Sequence, residues 1–137
     1  MELVAGLGGS ISTPALLLLF ADATLATDEL AREVCDAFPR AVAIGATTAG
    51  EIGPAGYTSG GAVAALISGP SLAVEARCLA RLSEGSLLQR SQKLGLDLYD
   101  AMVARGAGQA RSTFGLLLTD GLSRAEEQLA AGVARGV

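Results

Sequence analysis

Thr47, Thr48, Gly50, Glu51 and Tyr57 are the residues of this 137-residue sequence whose types and spacing could do chemistry. They lie in a polar stretch from Gly45 to Gly61 that is rich in glycine. Successive backbone N–H groups in such a turn can form an anion nest. The two threonine hydroxyls donate and accept. Glu51 sets a negative charge a few residues away, and Tyr57 adds an aromatic face and a hydroxyl. A weak anion site beside a carboxylate suits a small zwitterion, that is, an amino acid. The plain structural alternative stays open. The glycines then only make turns, Glu51 is solvated or caps backbone amides, and Tyr57 packs as a lid on a sheet edge.

Gly45 and Gly50 imitate the two glycines of a P-loop, but Glu51 and Ile52 stand where Lys and Ser or Thr are needed. No Lys or Arg occurs between Arg40 and Arg77, so a triphosphate would find no cation there. Gly6, Gly8 and Gly9 are no dinucleotide fingerprint, because no strand precedes them and no helix follows. The sequence has no histidine, which removes Ser-His and Cys-His catalysis and the commonest metal ligand. An enzyme reading would use Thr47 or Thr48 as nucleophile and Glu51 as base, in a small hydrolase or transferase. No catalytic residue, metal or cofactor is assigned. Cys35 and Cys78 lack metal spacing and are expected as reduced core residues.

The formal net charge is -4 and basic residues do not cluster, which argues against a nucleic-acid partner and against anionic lipid. The longest apolar run, Ala15 to Ala21, falls far short of the ~20 residues that cross a bilayer. A cytoplasmic location is therefore expected.

These residues need elements to hold them. Ala15 to Ala21 predicts a strand buried on both faces. Thr27 predicts a helix N-cap, with Asp28 and Glu29 in the first turn and Leu30, Val34 and Phe38 as the apolar stripe; Pro39 stops that helix. Ala41 to Ala46 predicts a second strand, which completes a βαβ unit. The Thr47 to Gly61 segment looks too long and too rich in glycine for a tight hairpin. Ala62 to Ser68 and Leu72 to Leu82 predict a third and a fourth strand joined as an antiparallel hairpin. Ser83 predicts the cap of a helix from Glu84 to Arg105, ended by Gly106 and Gly108. Phe114 to Leu118 predicts a fifth strand, and Ser123 with Glu126 predicts a capping box for a last helix. The expected fold is α/β: a layered mixed sheet of about five strands with packed helices, in a single domain over 1–137. Asp120 is a second site candidate, after a strand and before a helix, where open α/β sheets place ligands. Its preferred reading is a turn former, with Ser123 as the helix cap.

The string Gly45-Ala-Thr-Thr-Ala-Gly-Glu-Ile52, then Gly56-Tyr57, then Gly60-Gly61-Ala-Val63 resembles the signature of FIST domains. The Leu116-Leu-Leu-Thr-Asp-Gly-Leu-Ser-Arg-Ala-Glu-Glu127 segment resembles a later strand, turn and acidic helix start of that family. Ala46 stands where the family commonly has Cys. The resemblance covers most of Ala15 to Leu129. It implies a sensory input domain in intracellular signal transduction, proposed to bind small ligands such as amino acids and without established catalytic residues. It also implies a further strand and helix ahead of Ala15 and a carboxy-terminal FIST part. This chain is accordingly expected to be an amino-terminal FIST part that is shortened, a fragment or one subunit of a split protein. Its expected partners are an amino-acid-like ligand and a signalling output protein or carboxy-terminal FIST part. An unpaired sheet edge would also invite a homodimer. The alternative to sensing is a ligand-free protein-interaction module.

Overall fold

The computed structural model describes residues 15–54, 56–107 and 113–137. The expected leading stub from Met1 to Thr13 and Gly108 lie outside them. The described chain is α/β, with five strands in two sheets and three helices. It falls into two compact units whose boundary lies between Val74 and Glu75.

The first unit is built on β1 (Leu16–Asp22), whose leucine run supplies the fully buried Leu17 and, at its end, Ala21. Helix α1 (Asp28–Ala37) follows. The Thr27 hydroxyl accepts the Leu30 amide at 3.2 Å, which satisfies one of the orphan donors at the helix start. Val34 is buried and Leu30 and Phe38 half-buried, so the stripe is the one its spacing predicts. Strand β2 (Val42–Thr48) returns parallel to β1, from Leu16 opposite Val42 to Asp22 opposite Thr48. This is the expected βαβ unit.

Four expectations about strands need correction. The Thr47 to Gly61 segment holds a small hairpin of β3 (Glu51–Gly53) and β4 (Gly56–Thr58), with Gly53 opposite Gly56. Gly56 takes φ +100°, a left-handed conformation that closes the turn and that other residues avoid. The third strand, β5 (Ala62–Ile67), pairs antiparallel with β1 rather than with a fourth strand. The sheet order is β2-β1-β5, with the leucine-rich strand in the middle.

Leu72 to Leu82 forms no strand. Side chains bond part of this segment in place of a ladder. Glu75 accepts Arg77 at 2.9 Å and Arg105 at 2.5 Å, and the Arg90 guanidinium binds the carbonyls of Ala80, Arg81 and Glu84 at 2.5–2.8 Å. Those carbonyls are satisfied without a neighbouring strand. Phe114 to Leu118 also forms no strand, and Phe114 is 81% exposed. Apolar and β-prone residues alone do not make a strand. A ladder partner is required, and none pairs with this segment among the described residues.

The second unit centres on α2 (Leu87–Ala104) and α3 (Glu126–Gly136), which pack on each other. Helix α2 starts at Leu87, later than expected, because Ser86 and not Ser83 is the cap. Gly106, at φ +74°, ends it as predicted. Ser91 is fully buried and keeps its hydroxyl satisfied on the carbonyls of Leu87 and Leu88. It faces Gly132 of α3, where a side chain would overlap it. Helix α3 has Ala125 at its N-cap position, without a side-chain cap. The predicted capping box is absent, because the Ser123 hydroxyl donates to the Asp120 carbonyl at 2.6 Å instead. Cys35 and Cys78 are free, as expected, but exposed rather than in the core. Val34 and not Cys35 points inward from α1.

Candidate functional site

The carboxyl ends of the parallel strands β1 and β2 meet at Asp22 and Thr48. Thr48 donates its hydroxyl to Glu51 Oε1 at 2.5 Å. Gly61 donates its amide to Glu51 Oε2 at 3.2 Å, and its carbonyl accepts the Asp22 amide at 2.8 Å. The four residues thus link the ends of β1 and β2 to the starts of β3 and β5. Glu51 is only 3% exposed. Of the alternatives open from the sequence, solvation of Glu51 is the one the structure rejects. Glu51 caps the Gly61 amide and pins the Thr48 hydroxyl, without a cation beside it among the described residues. Burying a carboxylate is costly unless it is hydrogen-bonded, so each of these bonds matters to the local fold.

Thr47 is exposed, one residue before this frame. Tyr57 is 70% exposed, and its ring lies against Gly50, where a Cβ would come within 2.6 Å of the ring. Thr48, Gly50, Glu51 and Tyr57 therefore gather around one hairpin, with Thr47 alongside. Asp120 lies in the other unit.

Asp22 was not singled out from the sequence. Its Oδ1 accepts the Thr24 hydroxyl at 2.7 Å and the Thr24 amide at 2.9 Å. The Thr24 hydroxyl first, and then its amide, hold the Asp22 carboxyl below its ordinary 3.8; the Gly60 amide adds to this and slight burial opposes it. The side chain is half-buried and ionised at neutral pH. A sequence signal existed: an aspartate that ends an apolar run, with a hydroxyl residue two positions later, is a typical Asx turn.

Asp120 accepts the Leu122 amide on Oδ1 at 2.9 Å, which is the turn-forming role preferred from the sequence. It also borders a cleft of about 960 Å³ with Arg81, Ser123, Arg124 and Gln128. Thr119, just before it, has a buried hydroxyl oxygen without a hydrogen-bond partner among the described residues. Among the described residues no group of His, Cys, Asp or Glu could hold a metal ion, and no helix is long and apolar enough to cross a membrane.

The family model of the FIST N domain matches residues 15–137. The chain belongs to the FIST N domain family. FIST domains are sensory domains of signal transduction, and the FIST match spans both units. In this FIST N domain the resembling string becomes three pieces of one structure: the end of β2, the β3–β4 hairpin and the start of β5. Comparison with curated proteins finds no match, and neither does comparison with solved structures.

Proposed function

We propose that this FIST N domain is a sensory input domain that binds a small amino-acid-like ligand at the carboxyl ends of β1 and β2. The observation that carries this reading is the buried Glu51, bonded to Thr48 and Gly61 at the place where open α/β sheets bind ligands. A rigid frame there costs little ordering when a ligand arrives. In this reading the Thr47 hydroxyl and the Gly50 amide receive the ligand carboxylate, while Thr48, whose proton goes to Glu51, offers its oxygen to the ammonium group. Glu51 and the half-buried Asp22 form the acidic side that receives an ammonium group. Tyr57, stacked on Gly50, covers the ligand. Sensing then requires that the ligand bind one conformation of the protein better than another, which a partner reads.

A second reading, an interaction module without a ligand, draws on the exposed Ile52 (80%) and Leu122 (93%). The Thr48–Glu51 bond is also the contact that a nucleophile and its base would make. Glu51 holds the Gly61 amide at the same time, which suits a frame better than a proton shuttle.

A thermal-shift screen against the amino acids and small carboxylates tests the proposal. A ligand at a hundredfold excess over its Kd stabilises by about 2.7 kcal/mol. The expected result is a shift that Thr48→Val and Asp22→Asn both reduce. A cooperative melt that no compound moves favours the interaction module. Turnover of an ester or amide probe, lost in Thr48→Ala, would favour the enzyme.

A further inference from the structure

We infer that the cleft bordered by Arg81 and Arg124 is a second ligand site, which takes a small organic oxyanion: a carboxylate or a phosphate monoester on an apolar body. The chain as a whole is acidic, with a net charge of -4. This cleft is not. Its charged lining residues are Arg81, Arg124 and Asp120, two cations against one carboxylate. Asp120 is partly occupied, because its Oδ1 accepts the Leu122 amide. Arg124 makes no hydrogen bond or ion pair among the described residues, and Arg81 meets Glu84 only at 3.6 Å between exposed side chains. Two arginines thus border one concavity, and the planar fork of a guanidinium matches a carboxylate or phosphate.

Both walls are held in place by hydrogen bonds within the chain. Arg90 fixes the Arg81 wall through the carbonyls of Ala80, Arg81 and Glu84. Ser123 fixes the Arg124 wall, with both its amide and its hydroxyl on the Asp120 carbonyl. Each wall turns at its arginine, at φ 54° for Arg81 and φ 52° for Arg124. Non-glycine residues rarely take this left-handed conformation, and a pair of them on one cleft is a reason to look for a function. Leu87 and Leu88 add apolar lining, which suits an organic ligand better than a bare ion. The volume of about 960 Å³ is at the upper end of the ~300–1,000 Å³ of small-molecule sites.

The site is independent of the one proposed at Glu51, so the two fail separately. Phenylacetate, phenyl phosphate and inorganic phosphate are titrated into the full chain, and the arginine Nε–H resonances are followed by NMR. The expected result is saturable movement of the Arg81 and Arg124 signals with one or both phenyl compounds, while Arg135, outside the cleft, stays still. Arg124→Gln weakens binding about tenfold, as the loss of one charge-assisted bond predicts, and Arg124→Lys recovers part of it. Thr48→Val leaves it unchanged. Tighter phenylacetate identifies a carboxylate ligand and tighter phenyl phosphate a phosphate monoester. Shifts that never saturate, or wild-type affinity in Arg124→Gln, overturn the proposal. Inorganic phosphate binding as tightly as phenyl phosphate overturns the organic body.

Discussion

The Thr48 hydroxyl donates to Oε1 of Glu51 at 2.5 Å, three residues apart in sequence and across the junction of two sheets. Thr48→Val keeps the side-chain shape and removes the donor, so one oxygen of a buried carboxylate loses its partner. The expected cost is about 1–3 kcal/mol. Glu51→Ala costs more, because the Thr48 hydroxyl and the Gly61 amide both lose their acceptor. Urea midpoints of the two variants against wild type check the order.

Gly132 sets two effects against each other. In an exposed helix, glycine to alanine would stabilise by about 1 kcal/mol through helix propensity. Here a Cβ would lie 2.8 Å from Ser91 Cβ and 2.9 Å from the Leu88 carbonyl oxygen, with the Ser91 hydroxyl closer still. Ser91 is fully buried and cannot swing away. Overpacking of this kind costs about 1–3 kcal/mol, so Gly132→Ala is expected to destabilise. Faster amide exchange in α2 and α3 would show it. A rise in melting temperature would contradict the close packing.

Asp22 gives the protein an acid-sensitive component. Its carboxyl is held below its ordinary 3.8 in the folded state. The folded state therefore binds the proton more weakly than the unfolded chain does. The contribution to stability is complete above the unfolded pKa and disappears as pH falls through the folded one. Asp22→Asn and Thr24→Val should each reduce it. The difference in urea midpoint from Asp22→Asn should be present at pH 6 and shrink steadily below pH 4. A difference that persists unchanged at low pH would mean that the Thr24 bonds do not distinguish the two states.

Cys35 and Cys78 are both free and exposed. Both thiols should react with a disulfide reagent in the native protein, without denaturant. Cys35→Ser and Cys78→Ser should each leave stability within about 0.5 kcal/mol of wild type, as surface substitutions usually do.

The local features could be read from the sequence because they depend on neighbours along the chain. Thr27 caps α1 three residues ahead of the amide it binds, Gly106 ends α2, and the leucine run of β1 pays off as the central strand. The Asp120 turn is of the same kind, since its bond reaches only to Leu122. The residue cluster of the candidate site was legible too, because Thr48, Gly50, Glu51 and Tyr57 are close in sequence. Tertiary structure alone decided what each does. Glu51 is buried because Gly61, ten residues on, returns to it just ahead of β5. Asp22 joins the site because β1 and β2 are in register at Thr48. The alternation in Leu72 to Cys78 and the apolar run at Phe114 to Leu118 are as strand-like as β5, yet only β5 is a strand. Strand propensity belongs to a segment, but a strand exists only where another backbone supplies the matching donors and acceptors.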